Sequence, residues 1–215
     1  SVGLDTTATG AGWGVGTWGR NGWGQAATTP IVTNTLRIWS HDNFGEDLLI
    51  NVRNGGVYYW DKTGGFATRA VNLGSLAGST SAPSIAKQIM VSDRDRHIIA
   101  FGCDPEANAG VQDPLVIRFS SQESLTDWAS TATNTAGELR LGSGSEIVTA
   151  VETRQQILVY TDESLYAMQF LGPPFTFGVN LVSENITTMG PLCAVAVEDN
   201  VFWMGLKEFY VYGGT

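Results

Sequence analysis

Residues 48–60 read Leu48-Leu49-Ile50-Asn51-Val52-Arg53-Asn54-Gly55-Gly56-Val57-Tyr58-Tyr59-Trp60, two short runs of aliphatic and aromatic residues on either side of a polar, glycine-rich turn. Branched and aromatic side chains suit the pleated, half-buried surface of a strand. An Asn-Gly pair followed by another glycine offers the positive φ angles that tight hairpin turns need. The stretch predicts a β-hairpin, and its pattern recurs along the chain.

Lys87-Gln88-Ile89-Met90-Val91, the turn Ser92 to Arg96 and His97-Ile98-Ile99-Ala100-Phe101 repeat it. Ile147 to Val151, the turn Glu152 to Gln155 and Ile157-Leu158-Val159-Tyr160 do so again, as do Ala194 to Val197, the turn Glu198-Asp199-Asn200 and Val201-Phe202-Trp203-Met204. Further strands follow each pair, at Leu115 to Phe119, Glu138 to Leu141, Leu165 to Phe170, Phe175 to Val182 and Phe209 to Tyr212. Counting from residues 57, 98, 157 and 201, the second strands are spaced by 41, 59 and 44 residues. A period of this size with three or four strands per unit is the mark of propeller blades. Blades bury both sheet faces, so their middle strands should be continuously apolar, as Ile157 to Tyr160 and Val201 to Met204 are. The expected fold is all-β, a β-propeller-like array of three- to four-stranded antiparallel blades, incomplete at its last unit. A β-sandwich or barrel is the alternative. The expected division is a Gly/Trp-rich arm over residues 1–35 and about four blade units over 36–215. The chain opens on Ser1 and stops at Thr215, directly behind a strand-like run, so processing or further chain is expected.

Composition narrows the function. With 12 basic and 21 acidic residues in 215, the formal net charge is −9, and no window concentrates cations. Tight phosphate binding needs clustered cations that release counterions, so electrostatic capture of nucleic acid is disfavoured. Docking on anionic lipid is disfavoured for the same reason, and no apolar run approaches a membrane span. Charged residues make up 15% of the chain and glycines number 26, a surface suited to permanent assembly. Cys103 and Cys193 lie far apart with no Cys or His cluster near them, which reads as two small buried hydrophobes and no metal site.

Three stretches carry residues suited to chemistry or binding. Trp-Gly recurs every five residues at Trp13, Trp18 and Trp23. Glycine-flanked tryptophans make a poor core strand, so this ladder should bury its rings in a neighbouring subunit, on the chain's own surface, or against carbohydrate. Trp39 to Asp47 gathers His41, Asp42, Glu46 and Asp47, a possible metal or general-acid set that reads better as a polar loop leading into the hairpin. Ser120 to Trp128 faintly resembles the Asp-box turn of sialidase-like propellers without its ordered Gly and Thr, and reads as a turn capped by side chains. No nucleophile elbow, phosphate loop, zinc spacing or dinucleotide fingerprint is present. No enzymatic activity, cofactor or metal is therefore expected.

Leu36 to Ser40 with Asp42 to Leu49, the Gly55 to Asp61 hairpin, Gly172-Pro173-Pro174-Phe175-Thr176-Phe177-Gly178 and the Trp-Gly ladder together resemble virion structural proteins of tailed phages. The resemblance is to propeller-bearing nozzle, tail-hub or head-to-tail components. It implies a non-enzymatic subunit of a homo-oligomeric ring, often sixfold, in the virion tail. Such a ring contacts other tail or adaptor proteins, encircles the channel used in DNA ejection and does not bind DNA specifically. An acidic lumen fits that expectation, since it opposes phosphate binding. The residues expected at subunit interfaces or stacking on a ligand are Trp13, Trp18, Trp23, Trp39 and Phe44. The alternative function is a glycan-binding or sialidase-like propeller for host attachment.

Overall fold

The computed structural model describes residues 37–213, and those from Ile38 onward form one compact unit. Trp13, Trp18 and Trp23 lie outside the described residues. The described chain contains no α-helix and arranges fifteen strands into four antiparallel sheets. Sheet 1 comprises β1 (Trp39–Phe44), β2 (Asp47–Val52), β3 (Val57–Trp60) and β4 (Val71–Asn72). Sheet 2 comprises β5 (Gln88–Val91), β6 (Ile98–Phe101), β7 (Val116–Phe119) and β8 (Gly137–Arg140). Sheet 3 holds β9 (Ile147–Glu152), β10 (Ile157–Thr161), β11 (Ser164–Gly172) and β12 (Thr176–Glu184). Sheet 4 holds β13 (Ala194–Val197), β14 (Asn200–Met204) and β15 (Phe209–Gly213). In every sheet the spatial order of strands follows chain order, the up-and-down meander of a propeller blade.

Three cores lie between successive sheets. Alternate residues of one strand point to opposite faces, and the middle strands divide their side chains accordingly. From β6, Ile98 and Ala100 enter the core shared with sheet 1, whereas Ile99 and Phe101 enter the one shared with sheet 3. From β10, Ile157 and Val159 face sheet 2 while Leu158 and Tyr160 face sheet 4. All eight are buried. In these two strands a continuously apolar run accompanies a sheet covered on both sides.

Two expectations are corrected in sheet 1. The segment from Trp39, expected as a polar loop, is strand β1, paired in register with β2 from Trp39↔Val52 to Phe44↔Asp47. Its residues alternate between exposed and half-buried, and most of those on the inner side are polar, so composition hid the period. Consequently Val57 opens the third strand of its sheet, not the second, and the true second strands begin at Asp47, Ile98, Ile157 and Asn200. In the hairpin turn, Asn54 alone takes the positive φ, at 57°. Gly55 and Gly56 are there for space: a Cβ on Gly55 would sit 3.1 Å from the Val52 carbonyl oxygen, and one on Gly56 3.2 Å from the Asn72 amide.

Candidate functional site

The first strands of the four sheets adjoin one another without forming a continuous ladder, so side chains link them. Ser40 Oγ accepts from the Ile89 backbone N–H at 3.1 Å, and Asp42 Oδ2 accepts from that of Val91 at 2.8 Å. These two bonds join β1 to β5. Gln88 then spans to β9 with its amide, donating to the Ala150 carbonyl and accepting from the Ala150 N–H, both at 2.8 Å. Thr149 donates to the carbonyl of Pro191, just before β13, at 2.7 Å. Each bond satisfies a strand-edge group that has no ladder partner.

Where these strands begin lies a cavity of about 260 Å³, lined by residues that include Trp39, His41, Arg53, Gln88 and Leu192. Arg53 reaches across from sheet 1 and donates to the Val148 carbonyl on β9 at 2.9 Å. Burial lowers its pKa, partly offset by the nearby carboxylate of Glu146. Glu146 also forms an ion pair with the buried Lys87 ammonium. The carboxylate, guanidinium and amide groups here are thus engaged in holding sheets together.

At the opposite ends of the same strands, acids and arginines lie together in the hairpin turns. Glu152, closing β9, accepts from the Asp93 N–H at 3.0 Å in the β5–β6 turn. Burial pushes its carboxyl up to about 7, with the charges of Asp93, Asp42 and Asp95 adding to the effect against the bond from Asp93. The sequence carried a signal for this contact: the first hairpin turn of sheet 2 holds Asp93 and Asp95 and that of sheet 3 holds Glu152, with Arg94, Arg96 and Arg154 interleaved. Read as hairpin punctuation, these acids were missed as a group, because their meeting depends on how the sheets are stacked.

The other expected positions separate. Trp39 is 45% exposed at the mouth of the cavity. Phe44 packs against the core between sheets 1 and 2, with the Arg96 guanidinium 5.4 Å above its ring. His41 and Asp42 lie on opposite sides of β1, and among the described residues no three His, Cys, Asp or Glu side chains gather as a metal site requires. Ser120 to Trp128 is a capped turn as expected: Ser124 Oγ accepts from the N–H groups of Thr126 and Asp127, and Trp128 is buried. Both cysteines are free thiols; Cys103 is fully buried, which pushes its thiol up to about 12, while Cys193 is half-buried. No helix among the described residues is long and apolar enough to cross a membrane. No protein-family profile matches the chain, and no curated relative is found for it.

Proposed function

We propose that this protein is a non-enzymatic structural subunit of a phage tail or head-to-tail assembly, forming part of a homo-oligomeric ring around the DNA exit channel. The observation that carries the reading is the use of the inner strands. Their polar side chains, Ser40, Asp42, Gln88 and Thr149, together with Arg53 from the β2–β3 turn, bind neighbouring backbone and so build a scaffold. The net charge of −9 adds to it, because an acidic chain opposes the capture of a polyanion. Immunogold labelling of intact phage particles with antibody to this chain tests the assignment. Label on the tail or portal vertex is the expected result, and particles that carry none would overturn it.

A second reading, glycan binding for host attachment, is favoured by one feature. Phe66 is 98% exposed and stacks on Trp60 with ring centroids 5.8 Å apart, beside Asp61. Exposed aromatic faces near a carboxylate suit a sugar ring. Oligosaccharide-dependent tryptophan fluorescence that disappears in Trp60→Ala supports this reading. An unchanged spectrum across a glycan panel removes it.

A further inference from the structure

Sheets 2 and 3 are covered on both faces, but sheet 4 is covered on one. The face turned to sheet 3 carries Val201 and Trp203, buried, with Tyr210 and Tyr212 half-buried beside them. The opposite face carries a row in direct register, Val195↔Phe202↔Val211, with exposures of 58%, 47% and 59%. Val197 and Phe209 extend the same face, and none of these five residues is charged. At the other end of the array, the face of sheet 1 turned away from sheet 2 carries Trp39 opposite Val52, the row His41↔Ile50↔Tyr58 and the row Asn43↔Leu48↔Trp60. A contiguous exposed apolar surface such as that of sheet 4 marks an interface, and the sheet 1 face offers it Trp39, Ile50, Val52 and Tyr58 beside the polar His41 and Asn43.

We infer that the outward face of sheet 4 is a blade interface, taken by the outward face of sheet 1 of a second copy of this chain. This pairing continues the interfaces already formed. Within the chain, the later-facing side of each sheet packs on the earlier-facing side of the next, using alternate branched and aromatic residues. Sheet 4 presents an unused later-facing side and sheet 1 an earlier-facing one, so a second copy continues the repeat head to tail. Such heterologous contacts close into rings when the rotation permits, and two copies of four blades supply eight, within the usual range of propellers.

The contact is modest in size. Three strands about 4.8 Å apart and five residues long span roughly 250 Å² per face, well short of a standard interface of about 800 Å² per partner. Association should therefore be reversible and concentration-dependent. The inference concerns surfaces rather than the particle they serve, so loss of self-association with tail labelling intact, or the reverse, separates it from the proposed function.

Sedimentation equilibrium on the full chain tests it. The mass is expected to rise from that of one 23.0 kDa chain towards twice that value between about 5 and 200 µM. Phe202→Glu and Tyr58→Glu, each alone, are expected to stay single while keeping the wild-type far-ultraviolet spectrum. An equimolar mixture of the two should associate again, because one variant retains an intact sheet 1 face and the other an intact sheet 4 face. A wild type that stays single at 200 µM overturns the inference, as do variants that associate like the wild type. A mixture that remains single while the wild type associates also overturns it, since the intact sheet 1 and sheet 4 faces then do not bind each other.

Discussion

Sheets 2 and 4 are built from the same grammar, yet β6 of sheet 2 is buried at every position while β14 of sheet 4 alternates between exposed and buried. The sequences Ile98-Ile99-Ala100-Phe101 and Val201-Phe202-Trp203-Met204 are equally apolar. What separates them is a neighbour on the second face. An apolar run therefore reports that a strand is suited to burial on both sides, and the tertiary arrangement decides whether both sides are covered. For sheet 4 the mismatch between its composition and its exposure points to a surface that another sheet completes.

The largest expected effect tests that contrast directly. Phe101→Ala, in the core between sheets 2 and 3, is expected to cost about 3–5 kcal/mol in urea unfolding. Phe202→Ala, half exposed in the single chain, should cost less than about 1 kcal/mol at concentrations where the chain is alone. Equal losses would break the distinction between covered and uncovered faces.

Next comes the junction of sheets 1 and 2. Asn51 is fully buried in β2, and its amide lies within donating distance of the Val52, Gly55, Gly56 and Ala86 carbonyls, at 3.0 to 3.3 Å. Asn51→Ala should cost about 2–3 kcal/mol, because the hairpin turn and the Ala86 backbone lose their shared donor. A loss no larger than that of Phe202→Ala would show that the amide adds little to this junction.

A third test uses pH at the junction of sheets 2 and 3. An unfolded Glu152 gives up its proton near 4.5, whereas the folded chain holds it to about 7. The folded state is thus favoured by the protonated form below pH 4.5, and stability falls as pH rises from there to 7. Glu152→Gln removes that fall, and a gain on the order of 2 kcal/mol is expected at pH 8 with little change at pH 4. His97 acts in the opposite sense. It is buried among Phe119, Phe170 and Phe177, and burial lowers its pKa from 6.5 against the pull of Asp95. Stability should decline as pH falls below 6.5, because the unfolded chain takes up a proton that the folded one resists. Chemical denaturation from pH 4 to 8, comparing wild type with Glu152→Gln and His97→Gln, separates the two effects; parallel curves for all three would remove both.

The smallest effect lies between sheets 3 and 4. Tyr160 stacks at a tilt on Trp203, with centroids 5.2 Å apart, and its buried hydroxyl has no hydrogen-bond partner among the described residues. Tyr160→Phe should leave stability unchanged or raise it by up to about 1 kcal/mol, since it removes an unpaired polar atom and keeps the ring. A clear loss in thermal unfolding would mean that the hydroxyl is bonded in solution.

Local composition made most strands legible. The runs from β5 to β15 lie within a residue or two of where branched and aromatic residues placed them, because a sheet buried on at least one face demands such residues in sequence. β1 was hidden because its inner positions, Ser40 and Asp42, serve as hydrogen-bond acceptors for the next sheet and look like loop residues. The candidate site suffered more. Gln88 and Ala150 lie 62 positions apart, and so do the two ends of any signal that would pair them.

By itself the sequence determined the class of fold and the blade-like unit, because period, turns and burial preference are all local properties of the chain. The tertiary structure decided which face each strand shares with a neighbour, where the acids of separate turns meet, and that sheet 4 keeps one apolar side open. Those outcomes depend on the stacking of sheets joined through distant residues, and no local pattern encodes the partner across a sheet face.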